Sequence, residues 1–179
     1  MKKNFFKFMA ACLMGASVIA LPACGDDDDN GRDEPVVPQK KIATVVVDYS
    51  VSLSEDYYDL WDIEVTYTDA GGQKTERIEM DWNYQMKLNA LDQIPEKYGL
   101  TVTAKPKAAL PSLIVDQVYT LSSDCYMKIQ GIGQDGKVVK TDGMLTPLSK
   151  SISTDGNHLV NVVSNPRPIC SVSYDFPLN

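Results

Sequence analysis

From Val45 to Leu88 apolar and polar residues alternate with period two, which restricts this part of the chain to strands that bury one face and wet the other. Val45, Val47, Tyr49, Val51 and Leu53 alternate with Val46, Asp48, Ser50, Ser52 and Ser54. Trp61, Ile63, Val65 and Tyr67 alternate with Asp62, Glu64, Thr66 and Thr68, and Asp69-Ala70-Gly71-Gly72-Gln73 then turns the chain. Ile78, Met80, Trp82, Tyr84, Met86 and Leu88 make a third run too long for one ordinary strand, so a bend or bulge is expected near Trp82. Further runs lie at Leu100 to Ala104, Val118 to Leu121, Cys125 to Ile132, Lys137 to Lys140, Leu159 to Val163 and Ile169 to Phe176. Gly133-Gln134-Asp135-Gly136 supplies a hairpin turn, and Ala90 to Lys97 has room for one helical turn. About seven to nine short strands without a long helical pattern predict an all-β domain: a two-sheet sandwich first, a small closed barrel second.

The first residues follow a different rule. Lys2, Lys3 and Lys7 form a positive start, and the sixteen residues from Phe8 to Ala23 carry no charge. That is fewer than the ~20 a helix needs to cross a bilayer core, so residues 1–23 read as a signal peptide. The run closes on Leu21-Pro22-Ala23-Cys24, which resembles a bacterial lipobox, with Pro22 where Ser, Ala or Thr is commoner. The resemblance implies cleavage before Cys24, a diacylglyceryl thioether on its sulfur and a further acyl chain, such as palmitate, on its amino group. Each buried methylene contributes ~0.8 kcal/mol, and two or more chains anchor a protein stably. Gly25-Asp26-Asp27-Asp28-Asp29 follows. An acidic run here resembles the export signal of surface lipoproteins in Bacteroides and its relatives, where Ser usually stands in place of Gly25. It implies an address at the outside of the outer membrane. Read without that likeness, Asp26 to Asp29 form a solvated spacer that repels itself and stays extended. Asp26, Asp28, Asn30 and Gly31 begin a calcium-loop pattern, but Val37 occupies the twelfth position that needs a bidentate Glu, so no metal site is expected.

The domain boundaries that follow are 1–23 signal peptide, 24–39 lipidated acidic tether and 40–179 a single β domain. Residues 1–23 hold three of the 17 basic residues and none of the 24 acidic ones, leaving 14 against 24, or −10, after processing. The tether keeps six acids and Arg32, so the domain carries 13 basic and 18 acidic residues, or −5. A mildly acidic domain without clustered Lys and Arg argues against nucleic acid as a partner.

Four cysteines reduce to two in the mature domain, since Cys12 leaves with the signal peptide and Cys24 carries lipid. Cys125 and Cys170 both fall on the apolar side of alternating runs. An even pair in an exported chain invites a disulfide; two buried thiols acting as small hydrophobes are the other reading. His158, the only histidine, follows the turn Asp155-Gly156-Asn157 and lacks a Gly-x-Ser-x-Gly partner, so it reads as a solvated turn residue. One His and two distant thiols make no zinc site. Glu55, Asp56, Asp59 and Asp62 surround Tyr57 and Tyr58 between the first two strands and read as a polar loop too short to form a cleft. Nine tyrosines and two tryptophans suit a contact surface, yet most sit on the apolar side of their strands.

The wider resemblance, carried by Tyr49 to Gly72 and Tyr98 to Pro106, is to small Bacteroidales lipoproteins of unknown function with one immunoglobulin-like domain. The immunoglobulin Cys–Trp–Cys order is absent, because Trp61 and Trp82 both precede Cys125. The expectation is a surface lipoprotein of the outer membrane, a non-enzymatic module without cofactors that binds a protein or glycan or joins an envelope assembly. The alternative is a small anchored hydrolase acting on glycan or peptide, which two close carboxylates in a deep pocket would favour.

Overall fold

A computed structural model describes residues 41–89 and 94–178. Cys24, the acidic run Asp26 to Asp29, residues 24–39 as a whole and the first half of the 90–97 segment lie outside the described residues. The alternating segments become strands of two antiparallel sheets that pack face to face. One sheet holds β4 (Trp82–Asn89), β1 (Ile42–Leu53) and β6 (Val118–Gly133), with β7 (Val138–Gly143) and β8 (Leu148–Asp155) both on the far side of β6. The other holds β3 (Gly72–Ile78), β2 (Trp61–Asp69), β5 (Lys97–Pro106) and β9 (Arg167–Asp175), in that order. Two short helices, α1 (Glu55–Leu60) and α2 (Gly156–Leu159), bridge the sheets. Among the described residues no helix is long and apolar enough to cross a membrane.

Part of the pairing matches the strand order of an immunoglobulin-like sandwich, although β7 and β8 have no counterpart there and no strand takes the place of D. In that fold strand B lies between A and E, and strand F between C and G. Here β1 lies between β6 and β4, and β5 lies between β2 and β9, with β3 as an added strand beside β2. The place of strand A is thus taken by β6, from the middle of the chain. The core lies between the sheets and takes the buried member of each alternating pair: Val45 to Leu53 from β1, Trp61 to Tyr67 from β2, Tyr98 to Ala104 from β5, and Tyr119 to Ile129 from β6. Each such aliphatic or aromatic side chain contributes ~1.5–3 kcal/mol by leaving water.

Three expectations change. The long run from Ile78 to Leu88 does bend just before Trp82, at residues 79–81, but the two sides of the bend are strands of different sheets and not one strand. The segments Val118 to Leu121 and Cys125 to Ile132 are one 16-residue strand, β6. Leu159 to Val163 is not a strand: Leu159 and Val163 are buried one helical turn apart, while Val160 and Val162 face solvent.

The antiparallel order gives the domain two poles. Ile42 pairs with Gly133, so the chain enters beside the β6–β7 and β2–β3 turns. At the opposite pole lie α1, the 79–81 corner, the 107–117 loop and α2.

Candidate binding site

The α1 pole is built from a local choice at Ser54. That residue stays extended and ends β1, and Glu55 and Asp56 fill the first turn of α1, where carboxylates suit the exposed N–H groups of a helix start. Ser54 N donates to Ser122 O at 2.9 Å, and Ser122 N donates back to Ser54 Oγ at 3.1 Å. Thr120 N donates to Asp56 Oδ2 at 2.5 Å, which ties α1 to β6. The helix buries Tyr57 and Leu60, leaves Tyr58 half-buried, and delivers Trp61 to the first position of β2. The Trp61 ring packs on Tyr57 at 5.8 Å and lies under the Arg167 guanidinium at 5.6 Å.

Two depressions open at this pole. A cavity of about 240 Å³ is lined by Tyr58, Trp61, Asp62, Arg77, Ile78, Glu79 and Lys107. A second, of about 470 Å³, is lined by Leu53, Glu55, Tyr58, Glu79, Met80 and Asp81. Tyr58 and Glu79 belong to both. Arg77 Nη2 and Asp62 Oδ1 stand 2.7 Å apart across the β2–β3 pair and hold each other in place. Trp61 is 1 % exposed. Its Nε1 and the Tyr58 hydroxyl are both buried and have no hydrogen-bond partner among the described residues. An unpaired buried polar group costs about 1–3 kcal/mol, so two of them in one cavity wall need a physical reason. Burial, with Asp81 and Cys125 nearby, pushes the Tyr58 hydroxyl up to about 12 and keeps it a donor at neutral pH.

The aromatic cluster on the β3–β4 side behaves differently. Tyr49, Tyr67, Trp82 and Tyr84 pack ring to ring, with centroids between 4.8 and 6.4 Å. Every polar tip there is paired. Tyr49 Oη donates to Thr68 O at 2.8 Å, Tyr67 Oη to Glu76 Oε1 at 2.8 Å, Trp82 Nε1 to Glu76 Oε2 at 3.2 Å, and Tyr84 Oη to Asp69 Oδ1 at 2.7 Å. This cluster closes an edge of the sandwich, and it accounts for much of the tyrosine-rich composition by packing.

Cys125 of β6 and Cys170 of β9 are buried, free cysteines from opposite sheets, near enough for each thiol to perturb the other. The pairing of β5 and β9 shifts register between Val102 and Thr103, and with that shift Ile169 and Cys170 are both buried. The neighbouring Cys170 thiol, together with burial, pushes the Cys125 thiol far above its usual range. His158 is exposed and its Nδ1 lies 2.7 Å from Asp155 Oδ1, the residue that also caps α2 through His158 N. Of the acidic group around Tyr57 and Tyr58, Glu55, Asp56 and Asp59 lie in α1 rather than a loop and Asp62 lies in β2, and the group disperses. Asp56 holds β6, Asp62 pairs with Arg77, and Glu55 lines the larger depression. Among the described residues no three His, Cys, Asp or Glu side chains gather as a metal site.

Sequence reasoning missed Tyr58, Trp61, Arg77, Glu79 and Lys107 as a group, because they come from α1, two strands and a loop. Met80 gave no warning in the sequence: it keeps the parity of Ile78 and Trp82, yet it sits at the corner, 72 % exposed. No protein-family model matches the sequence, and no curated protein is similar to it.

Proposed function

We propose that the chain is a non-enzymatic binding module of the bacterial outer membrane, held by lipid on Cys24 and working through the α1 pole. The observation that carries this reading is the pair of buried donors without partners, Tyr58 Oη and Trp61 Nε1, in the wall of a cavity at the pole opposite Ile42. Tyr98 leaves one hydroxyl unpaired in the core, but Tyr58 and Trp61 both line one cavity, where a binding site keeps donors for an incoming acceptor at the expense of the free protein. A lipid anchor followed by a charged tether holds the domain by its Ile42 end and leaves the α1 pole free to meet a ligand. The acidic run Asp26 to Asp29 supports an address on the cell surface.

The test needs no ligand. Tyr58→Phe removes the unpaired hydroxyl and keeps the ring, so the midpoint of urea unfolding should stay the same or rise. A loss of about 1 kcal/mol or more means the hydroxyl serves the fold, and the binding role assigned to it is wrong.

A further inference from the structure

We infer that the α1-pole cavity takes a neutral sugar unit of a glycan chain, with Tyr58 Oη and Trp61 Nε1 donating to its oxygens; this rests on the cavity being the binding site. Three properties of the walls select that chemistry. The two free donors are uncharged, and an indole N–H can only donate, so the ligand must bring acceptors. The charges of the smaller cavity are mixed: Arg77 is held by Asp62 at 2.7 Å, and Lys107 and Glu79 complete the set. The larger depression adds Glu55 and Asp81. An anionic ligand meets these carboxylates and a cationic one meets Arg77 and Lys107. A neutral ligand dense in hydroxyls meets neither penalty, because each hydroxyl both donates and accepts.

Size points the same way. The 240 Å³ cavity falls below the ~300–1,000 Å³ of pockets for drug-sized ligands, which fits a single ring. The adjoining depression of about 470 Å³ shares Tyr58 and Glu79 with it, so a second unit continues across the same wall. The ion pair of Asp62 and Arg77 presents a carboxylate and a planar guanidinium in fixed relation, a surface suited to neighbouring hydroxyls. Exposed Met80 offers an apolar contact for a ring face. Because both donor atoms are buried beneath the wall, a sugar reaches them by displacing the half-buried Tyr58 ring.

The experiment uses the full-length lipidated protein in a polyoxyethylene detergent, which has no sugar head group to compete. Probes are neutral oligosaccharides of hexose, deoxyhexose and N-acetylhexosamine types, their uronate-bearing counterparts, and one acidic and one basic short peptide, with tryptophan fluorescence as the readout. The expected result is binding of a neutral oligosaccharide that Tyr58→Phe weakens about tenfold, with the uronate counterpart at least about tenfold weaker. A neutral sugar whose affinity Tyr58→Phe leaves unchanged binds elsewhere, and overturns the inference. A uronate or peptide that binds better than the neutral probes and is weakened by Tyr58→Phe overturns the neutral-sugar assignment while the cavity remains a binding site. Binding of no probe overturns the inference; if Tyr58→Phe also destabilises the free protein, the binding reading falls with it.

Discussion

Trp61 and Tyr98 are both fully buried, and each leaves a polar atom unpaired. Trp61 does so in a cavity wall, whereas Tyr98 sits in the core with its ring edge-on to Phe176 at 6.4 Å. Burial lifts the Tyr98 hydroxyl to about 12, so it too stays protonated. The cysteines mark the other residue-scale question. Their alternating positions on two distant runs made a shared core legible in the sequence, and the contact between the two sheets places the thiols together. Outside the cytosol such a pair meets dithiol–disulfide oxidants, and a bond across the sheets would stabilise the domain by roughly 4 kcal/mol through loop-closure entropy. Intact mass of protein isolated from the envelope, alkylated with and without prior reduction, should show two thiols appearing only after reduction. Two thiols alkylated in unfolded, unreduced protein would sink the bond.

At the scale of elements, Glu76 joins the edges of both sheets. Lying on β3, it accepts from Tyr67 and from Trp82 of β4, and stands 2.6 Å from Lys74 Nζ. Its inward charge also keeps the β3 edge from pairing with another strand. The hydrogen bonds from Lys74 and Tyr67 hold its carboxyl below the usual range. A depressed folded pKa contributes stability above the unfolded pKa of ~4.3, and that contribution is lost as pH falls through the folded value. Glu76→Gln should therefore lower the urea midpoint at pH 7, by about 1–2 kcal/mol in stability. The gap from wild type should close in acid, and a gap constant with pH contradicts this account. Gly156, at the start of α2, donates its N–H to Gln117 O at 3.1 Å, and a Cβ there would lie 2.1 Å from Ile114 O. Gly156→Ala should cost about 1–3 kcal/mol, read from the thermal midpoint; an unchanged midpoint means the 107–117 loop is not held by this contact.

The elements also show where the sequence was readable. β1, β2, β5 and β9 could be placed from alternation because each has one core face and one wet face. β8, with the sequence Leu-Ser-Lys-Ser-Ile-Ser-Thr-Asp, went unseen because it is an edge strand exposed along most of its length, and exposure leaves no alternation to select. The corner at 79–81 was hidden by parity, since Ile78 and Trp82 both point inward from different sheets. α1 was hidden by its acids, which read as loop. The cavity was illegible because its walls come from segments as far apart as Tyr58 and Lys107, joined only by the pairing of β2 with β3 and β5.

For the whole molecule, the topology sets the Ile42 end at one pole and the candidate site at the other. Processing before Cys24, as proposed, would leave a chain of net charge −10, with six of its acids between Cys24 and Gln39. The central claim is that lipid and tether present the α1 pole outside the cell, and Met80 is the residue placed to report it. Cys125 and Cys170 are buried, so Met80→Cys adds one accessible thiol at that pole. Labelling intact cells with a membrane-impermeant maleimide should modify the Met80→Cys protein. Labelling should vanish when Asp26 to Asp29 are replaced by alanine, and no lipid-anchored protein should remain when Cys24→Ala is added. Labelling that requires lysed cells, or that persists unchanged without the acidic run and Cys24, would contradict the account.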